Sequence, residues 1–240
     1  MVTEMKRYFF DKAGDERMEK QNQSNWQALA RLVEHEANAS LPHNKPWDIL
    51  DIGCHTGGLL ELLDKKFSRR LHEGSRVASL SGVEPIEHAR DEAKKRISYA
   101  TFYSHIEKVP TQSIDLVIGN EFLYLEEDLC HWARQLQRIL RPEGGAFISL
   151  GSHSENTAWL RWRGQLQRQY GHASYVHEPM NILQTGVEVG FDMEIHRLHL
   201  EPQTGMRYSP PEEYWGEFIS AEEALGFRQQ KYVFVFYPKR

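Results

Sequence analysis

Apolar and polar positions alternate along this 240-residue chain with two different periods, and the switches between them outline its elements. Residues 16 to 38 place Met18, Trp26, Leu29, Leu32 and Val33 near helical spacing among polar neighbours, which predicts an amphipathic helix. Pro42 and Pro46 punctuate the loop behind it. WDILDIG then predicts a short buried strand, followed by glycines and the helical run LLELLDKKFSRRL. RVASLSGVEP predicts a second strand ended by Pro85, and EHARDEAKKRI, rich in strong helix formers, a further helix. The pattern repeats with ATFY at 100–103, the stronger strand SIDLVIGN, a helix from about Leu125 to Leu140, a turn over Arg141 to Gly145, and the strand AFISLG. Such strand–helix alternation implies an α/β fold, a parallel sheet covered by helices on both faces. Beyond Gly151 the rhythm loosens. Helices are expected over Thr157 to Tyr170 and about 178 to 189, a sixth strand in FDMEIHRLHL, and a seventh in KYVFVFYPKR, a run of β-formers. Residues 201 to 230 predict an inserted loop and short helix.

Composition narrows the class. With 40% hydrophobic and 26% charged residues, the chain has a globular balance that excludes disorder. No Pro/Gly/Ser-rich linker divides it, so a single domain over 1–240 is expected. No apolar run approaches the ~18 residues of a membrane span. The N-terminus MVTEMKRYFFDKAGDER lacks the apolar stretch of a secretory signal. Only Cys54 and Cys130 occur, which excludes a disulfide framework and points to a reducing, cytoplasmic setting. A net charge of −5 argues against nucleic acid as a partner. The oligomeric state is left open, a homodimer included.

In open α/β sheets ligands bind beyond the carboxyl ends of the strands, so the first strand-to-helix turn carries the first chemical signal. It reads Asp51-Ile52-Gly53-Cys54-His55-Thr56-Gly57-Gly58. Glycines allow a sharp turn and close approach of a ligand. Their spacing is neither that of a dinucleotide fingerprint nor that of a phosphate-binding P-loop. Asp51 would repel a pyrophosphate but tolerates a cation.

ILDIGCHTGGLLELL resembles the first motif of class I S-adenosylmethionine-dependent methyltransferases, hydrophobic-hydrophobic-Asp-x-Gly-x-Gly-x-Gly. Asp51, Gly53 and Gly57 match it, Cys54 lies within it, and His55 replaces the middle glycine. Further motifs follow in the family's order. Glu84 in GVEP stands at the place of the ribose-binding carboxylate, followed by Pro85 and by Ile86 for the adenine face. His105 and Ile106 fall where adenine is flanked, His105 at the place of the family's usual acidic residue and Glu107 as the fallback. IDLVIGNEFLYL places Asn120 and Glu121 toward the methionine part of the cofactor. LRPEGGAFIS is similar to the family's turn into strand five. The resemblance implies a Rossmann-like, doubly wound sheet of seven strands, mostly parallel with strand seven antiparallel. It also implies S-adenosyl-L-methionine as cofactor and S-adenosyl-L-homocysteine as product. On this reading residues 1–46 form a helical cap or lid, 47–150 the cofactor-binding half, and 151–240 the substrate-side half.

Methyl transfer from a sulfonium requires a nucleophile held in line about 3–3.5 Å from the methyl carbon, and a base only if that nucleophile carries a proton. The expected acceptor is a small molecule methylated on O, N or C. Its pocket is expected to involve Tyr8, Phe9, Tyr124 and His153, with His153 as the candidate base. Two alternatives remain. One is a tRNA, rRNA or protein methyltransferase docking through the helix Arg161–Arg168, which interleaves aromatic and basic residues. The other is a non-catalytic cofactor-binding or scaffold protein of the same fold. The chain lacks both the Asn/Asp-Pro-Pro-Tyr/Phe of amino-methylating DNA enzymes and the Pro-Cys of cytosine-C5 enzymes, which favours the small molecule. No metal site is expected, because His172/His177 and His196/His199 have poor ligand spacing.

Overall fold

A computed structural model describes residues 12–42, 45–68, 77–170, 173–199 and 218–239. In chain order the elements are α1 (Lys12–Ser40), β1 (Trp47–Ile52), α2 (Gly58–Ser68), β2 (Val77–Val83), α3 (Glu87–Arg96), β3 (Thr101–Tyr103), β4 (Ile114–Asn120), α4 (Leu129–Ile139), β5 (Leu140–Leu150), α5 (Thr157–Tyr170), α6 (Pro179–Val189), β6 (Phe191–Arg197), α7 (Ala221–Gln229) and β7 (Tyr232–Pro238). The sheet order is β3-β2-β1-β4-β5-β7-β6. β1 to β5 pair in parallel, and β7 runs antiparallel between β5 and β6. Sequence order therefore turns back between β1 and β4, the switch point beyond whose carboxyl ends open α/β sheets place their ligand crevice.

The two-residue strand period distributes the core into two layers. Ile49, Leu116, Ile118, Phe147, Val233 and Val235 face one way and meet Leu29, Val33, Leu60 and Leu63 of α1 and α2. Their chain neighbours Leu50, Val117, Ile148 and Phe234 face the other way and meet Trp132 and Leu136 of α4 and Ile182 of α6. Covered on both sides, β4 has no polar face to spare, which is why it reads as a near-continuous apolar run.

Two expectations shift. The helix after β4 starts at Leu129 rather than Leu125, because residues Leu123–Leu125 form a 3₁₀ turn and the Asp128 side chain caps α4 by accepting from His131 N at 2.8 Å. The turn expected over Arg141 to Gly145 is instead part of β5. Its register jumps there, Ile114 pairing with Leu140 and Leu116 with Gly145, which marks a bulge.

The bulge carries an ion network at the amino end of the sheet. Asp115 is buried and accepts from Lys45 Nζ at 2.7 Å, Arg141 Nη1 at 2.5 Å and Asp48 N at 3.0 Å. Arg141 Nη1 also reaches Asp48 at 2.7 Å. Asp115→Ala removes the acceptor common to three donors and should lower unfolding free energy by about 2–3 kcal/mol, since both cations are half-exposed and rehydrate. Urea denaturation measures it.

Candidate functional site

The crevice is walled by the end of β1. Asp51, in register with Gly82 of β2 and Ile118 of β4, is 1% exposed, and neither carboxylate oxygen has a hydrogen-bond partner among the described residues. Burial, and then the nearby Glu84 charge, pushes its pKa well above the usual carboxylate range. A buried charge left in this state is costly, and such groups gather where ligands bind.

The loop after Asp51 is shaped by left-handed backbone at Gly53, His55 and Gly57, with φ of 73°, 47° and 81°. Its start is tied to β2 by Gly53 N and Cys54 N, which donate to Val83 O at 2.9 and 3.1 Å. His55, where the family motif has glycine, meets the steric resistance of a side chain at positive φ, about 1–2 kcal/mol. A hydrogen bond from His55 N to Glu84 Oε2 at 3.0 Å offsets it. Cys54 is buried behind the loop, where burial raises its thiol pKa and keeps it inert.

Glu84 is a scaffold as well as a candidate ligand. Oε1 accepts from Ile86 N at 2.8 Å, and Arg90 Nη1 donates to the Glu84 carbonyl at 2.7 Å. Burial raises its pKa, while the two N–H groups and Arg90 act against the rise. Each carboxylate oxygen has two lone pairs, so one on each remains beyond these backbone bonds.

At the end of β4, Asn120 Oδ1 accepts from Ser149 Oγ at 2.7 Å. Glu121 has a left-handed φ of 54°, and its carboxylate turns toward β5 and β7. There it accepts from Gly151 N at 2.8 Å, Ser152 Oγ at 2.9 Å and Lys231 Nζ. Burial alone would raise its pKa, but Lys231 and these donors prevail and lower it. The next residue, Phe122, folds back against Gly53 and Gly119 and packs on Trp132 of the α4-side core, ring centroids 5.8 Å apart. A methyl group at Gly53 would lie 2.8 Å from Phe122 Cβ, and one at Gly119 would overlap Phe122 Cε1. Glycine at both places makes room for this ring, a role that motif reading does not reveal.

On the expected adenine side, His105 is exposed and hydrogen-bonds Ser104 Oγ at 3.0 Å, whereas Ile106 packs on the α4-side core. Glu107 pairs with His131 at 3.3 Å. The turn is pinned by a residue that sequence reading missed. Arg138 donates from Nη1 to Val109 O at 2.7 Å and from Nη2 to Ile106 O at 2.9 Å. A basic residue in the last turn of a helix is too common a feature to have flagged it.

The expected acceptor residues are not all gathered. Tyr8 and Phe9 lie outside the described residues. Tyr124 is half-buried, its ring 4.9 Å from that of Trp159. His153 takes a packing role where a base was expected. It is fully buried, stacks on Tyr232 at 4.8 Å, bonds Gln230 O through Nε2 at 2.7 Å, and accepts from Glu155 N on Nδ1 at 3.3 Å. With both nitrogens engaged and its pKa lowered by burial, it has no lone pair to offer a substrate. Among the described residues one group has metal-ligand proximity, Glu36, Glu194 and His196 on α1 and edge strand β6. Its His196–Glu194 contact at 3.1 Å is an ordinary surface pair.

Asp51→Asn should stabilise the ligand-free protein at neutral pH by roughly 1–3 kcal/mol, because it removes a buried charge. The sign follows from the raised pKa: the folded state holds a proton at pH values where the unfolded state has lost it, so wild-type stability declines as pH rises above the ordinary carboxylate range. The gain in the variant should therefore grow with pH and disappear in acid, as measured by denaturant titrations across pH. In the same variant, calorimetry should show weaker S-adenosylmethionine binding. Arg138→Ala should loosen the Ile106 turn and weaken S-adenosylhomocysteine binding about 3- to 10-fold by calorimetry, as expected for loss of charge-assisted bonds to backbone.

A model of a methyltransferase domain matches residues 17–193. No curated protein matches the chain. Among solved structures, the fold is similar to that of a methyltransferase in complex with the Haloferax volcanii Trm112 methyltransferase activator, with a TM-score of 0.71, 15% identity, and coverage of 94% of this chain and 96% of that one. An S-adenosylmethionine-dependent methyltransferase from Mesorhizobium loti gives 0.63, 17%, 90% and 98% in the same order. Geranyl diphosphate C-methyltransferase from Streptomyces coelicolor, solved with Mg2+, geranyl diphosphate and S-adenosyl-L-homocysteine, gives 0.56, 14%, 89% and 78%. At these identities the likeness is one of fold. The buried Asp51 carboxylate fits the cationic end of S-adenosylmethionine, and Glu84 keeps acceptor capacity for hydroxyls. With most of its length matched by the family model, the chain belongs to the methyltransferase-domain family and is a class I S-adenosylmethionine-dependent methyltransferase.

Proposed function

We propose that the protein transfers a methyl group to an O, N or C atom of a small-molecule acceptor in the cytoplasm. S-adenosyl-L-methionine supplies a methyl group on a positively charged sulfur that departs as a neutral thioether. Asp51 would hold the cationic end, Glu84 the ribose hydroxyls, and Ile106 one side of the adenine. Glu121 and Asn120 shape the rim beside them. Since His153 has no free nitrogen, an acceptor atom that carries no proton to be removed by it suits this site, and positioning carries the rate.

The observation that carries the small-molecule reading is the state of α5. A nucleic-acid docking helix needs exposed aromatic and cationic side chains. Trp159 and Trp162 are each 3% exposed, packed against Tyr124 and against Phe218 and Phe227 respectively. Arg161 is paired with Glu223 at 2.6 Å, and Arg163 Nε donates to Ser174 O at 2.7 Å. Both arginines therefore tie α5 to its neighbours, and the interleaved pattern reads as an amphipathic helix. No helix among the described residues is long and apolar enough to cross a membrane.

The test is a partition of label. Incubation of the protein with methyl-labelled S-adenosylmethionine and a cell extract should place the label in the extractable small-molecule fraction. Label recovered in RNA or protein instead overturns the proposal. Protein that binds the cofactor but transfers nothing in any fraction points to the non-catalytic alternative.

A further inference from the structure

We infer that Glu121 and Lys231 form a positioning clamp that holds Phe122 over the cofactor loop, so that an ion pair on the β5–β7 side of the sheet sets affinity for the cofactor. The inference rests on the cofactor occupying the crevice between β1 and β4. Three strand ends meet in the clamp. Glu121 closes β4, Gly151 and Ser152 follow β5, and Lys231 immediately precedes β7, and the Glu121 carboxylate accepts from all three of these partners. The space is closed, since a methyl group on Gly151 would lie 2.9 Å from Lys231 Cγ and 3.0 Å from Glu121 Oε1. Both charged side chains are largely buried, with 18% of Glu121 and 10% of Lys231 exposed.

The backbone shows what the clamp does. Glu121 stands at φ 54°, a conformation that a side chain other than glycine resists. The left-handed turn sends the chain back, and Phe122 Cβ and its ring come to rest where Gly53 and Gly119 have no side chain. The Gly151, Ser152 and Lys231 bonds hold Glu121 in this turn, because a relaxed Glu121 would carry its carboxylate away from all three donors. Without them the residue returns to negative φ and Phe122 swings off Gly53, the residue two positions after Asp51. Lys231 also follows α7, so the clamp links that helix to the cofactor loop through covalent chain and one ion pair, while residues 201–217 lie outside the described residues. A buried ion pair adds little net stability compared with apolar residues of the same size, and registry is its best-attested use.

The experiment is calorimetric titration of the full chain with S-adenosylhomocysteine. Glu121→Gln and Lys231→Met should each weaken binding about 5- to 30-fold, and Phe122→Ala by a similar factor, as expected for residues coupled through contact. Adding Glu121→Gln or Lys231→Met to Phe122→Ala should weaken binding no further, because the clamp acts through that ring. Lys231→Arg, which keeps the charge, should bind within about threefold of wild type. These ratios separate positioning from a general loss of stability, which would lower Tm without this non-additivity and without rescue by arginine. Should Lys231→Met fail to fold, the Glu121→Gln and Lys231→Arg pair carries the comparison. Wild-type affinity in Glu121→Gln, or factors that multiply in the double variants, overturns the clamp while leaving the cofactor site intact. Absence of binding by the wild type overturns the site and the clamp together.

Discussion

A carboxylate that water cannot reach governs the carboxyl end of this sheet. Asp51 is 1% exposed and has no hydrogen-bond partner among the described residues, with Glu84 close enough to raise its pKa further. An interior that keeps such a group gives up stability at neutral pH in return for a place where positive charge is welcome. The nearby arrangement follows from this constraint. Glu84 binds backbone N–H groups of His55 and Ile86, and Arg90 holds the Glu84 carbonyl. The loop is thus shaped by bonds to Glu84, while Asp51 takes no part in them.

The amino end of the same sheet treats a buried carboxylate in the opposite way. Asp115, at 2% exposure, is surrounded by Lys45, Arg141 and the Asp48 N–H. Both aspartates sit on central strands within two apolar layers. What separates them is the supply of donors: Asp115 has three, and Asp51 has none among the described residues. Fixed cations at one end lock β1, β4 and β5 together, whereas at the other no donor among the described residues reaches Asp51. Glu121 stands between these cases. It is saturated by Gly151, Ser152 and Lys231, and by its left-handed turn it directs Phe122 toward the loop.

Much of the architecture was legible because short-range rules govern it. Apolar runs without alternation marked the central strands, since β1 and β4 are covered on both faces. Departures came where a long-range contact outweighed local preference. Arg-Pro-Glu-Gly-Gly reads as a turn, yet pairing with β4 and the Arg141–Asp115 bond draw it into β5 as a bulge. His153 looks like a base in a loop after a strand, yet the Gln230 carbonyl, 77 residues away, takes its Nε2. The aromatic-basic pattern of α5 left nucleic-acid docking as an alternative to an amphipathic helix, and Trp159 and Trp162 pack inward as the latter requires.

The sequence by itself determined the α/β alternation, the strand ends at which a ligand can approach, and the glycines that let the loop turn. These depend on residues adjacent in the chain, whose spacing is visible without a partner. Tertiary structure decided which carboxylate is satisfied and which is left without a partner among the described residues. It also decided that Phe122 fills the space beside Gly53 and Gly119, that Arg138 binds the Ile106 and Val109 carbonyls, and that Lys231 pairs with Glu121. A hydrogen bond or ring contact between residues distant in sequence depends on how strands and helices are brought together, and no local pattern encodes that distance.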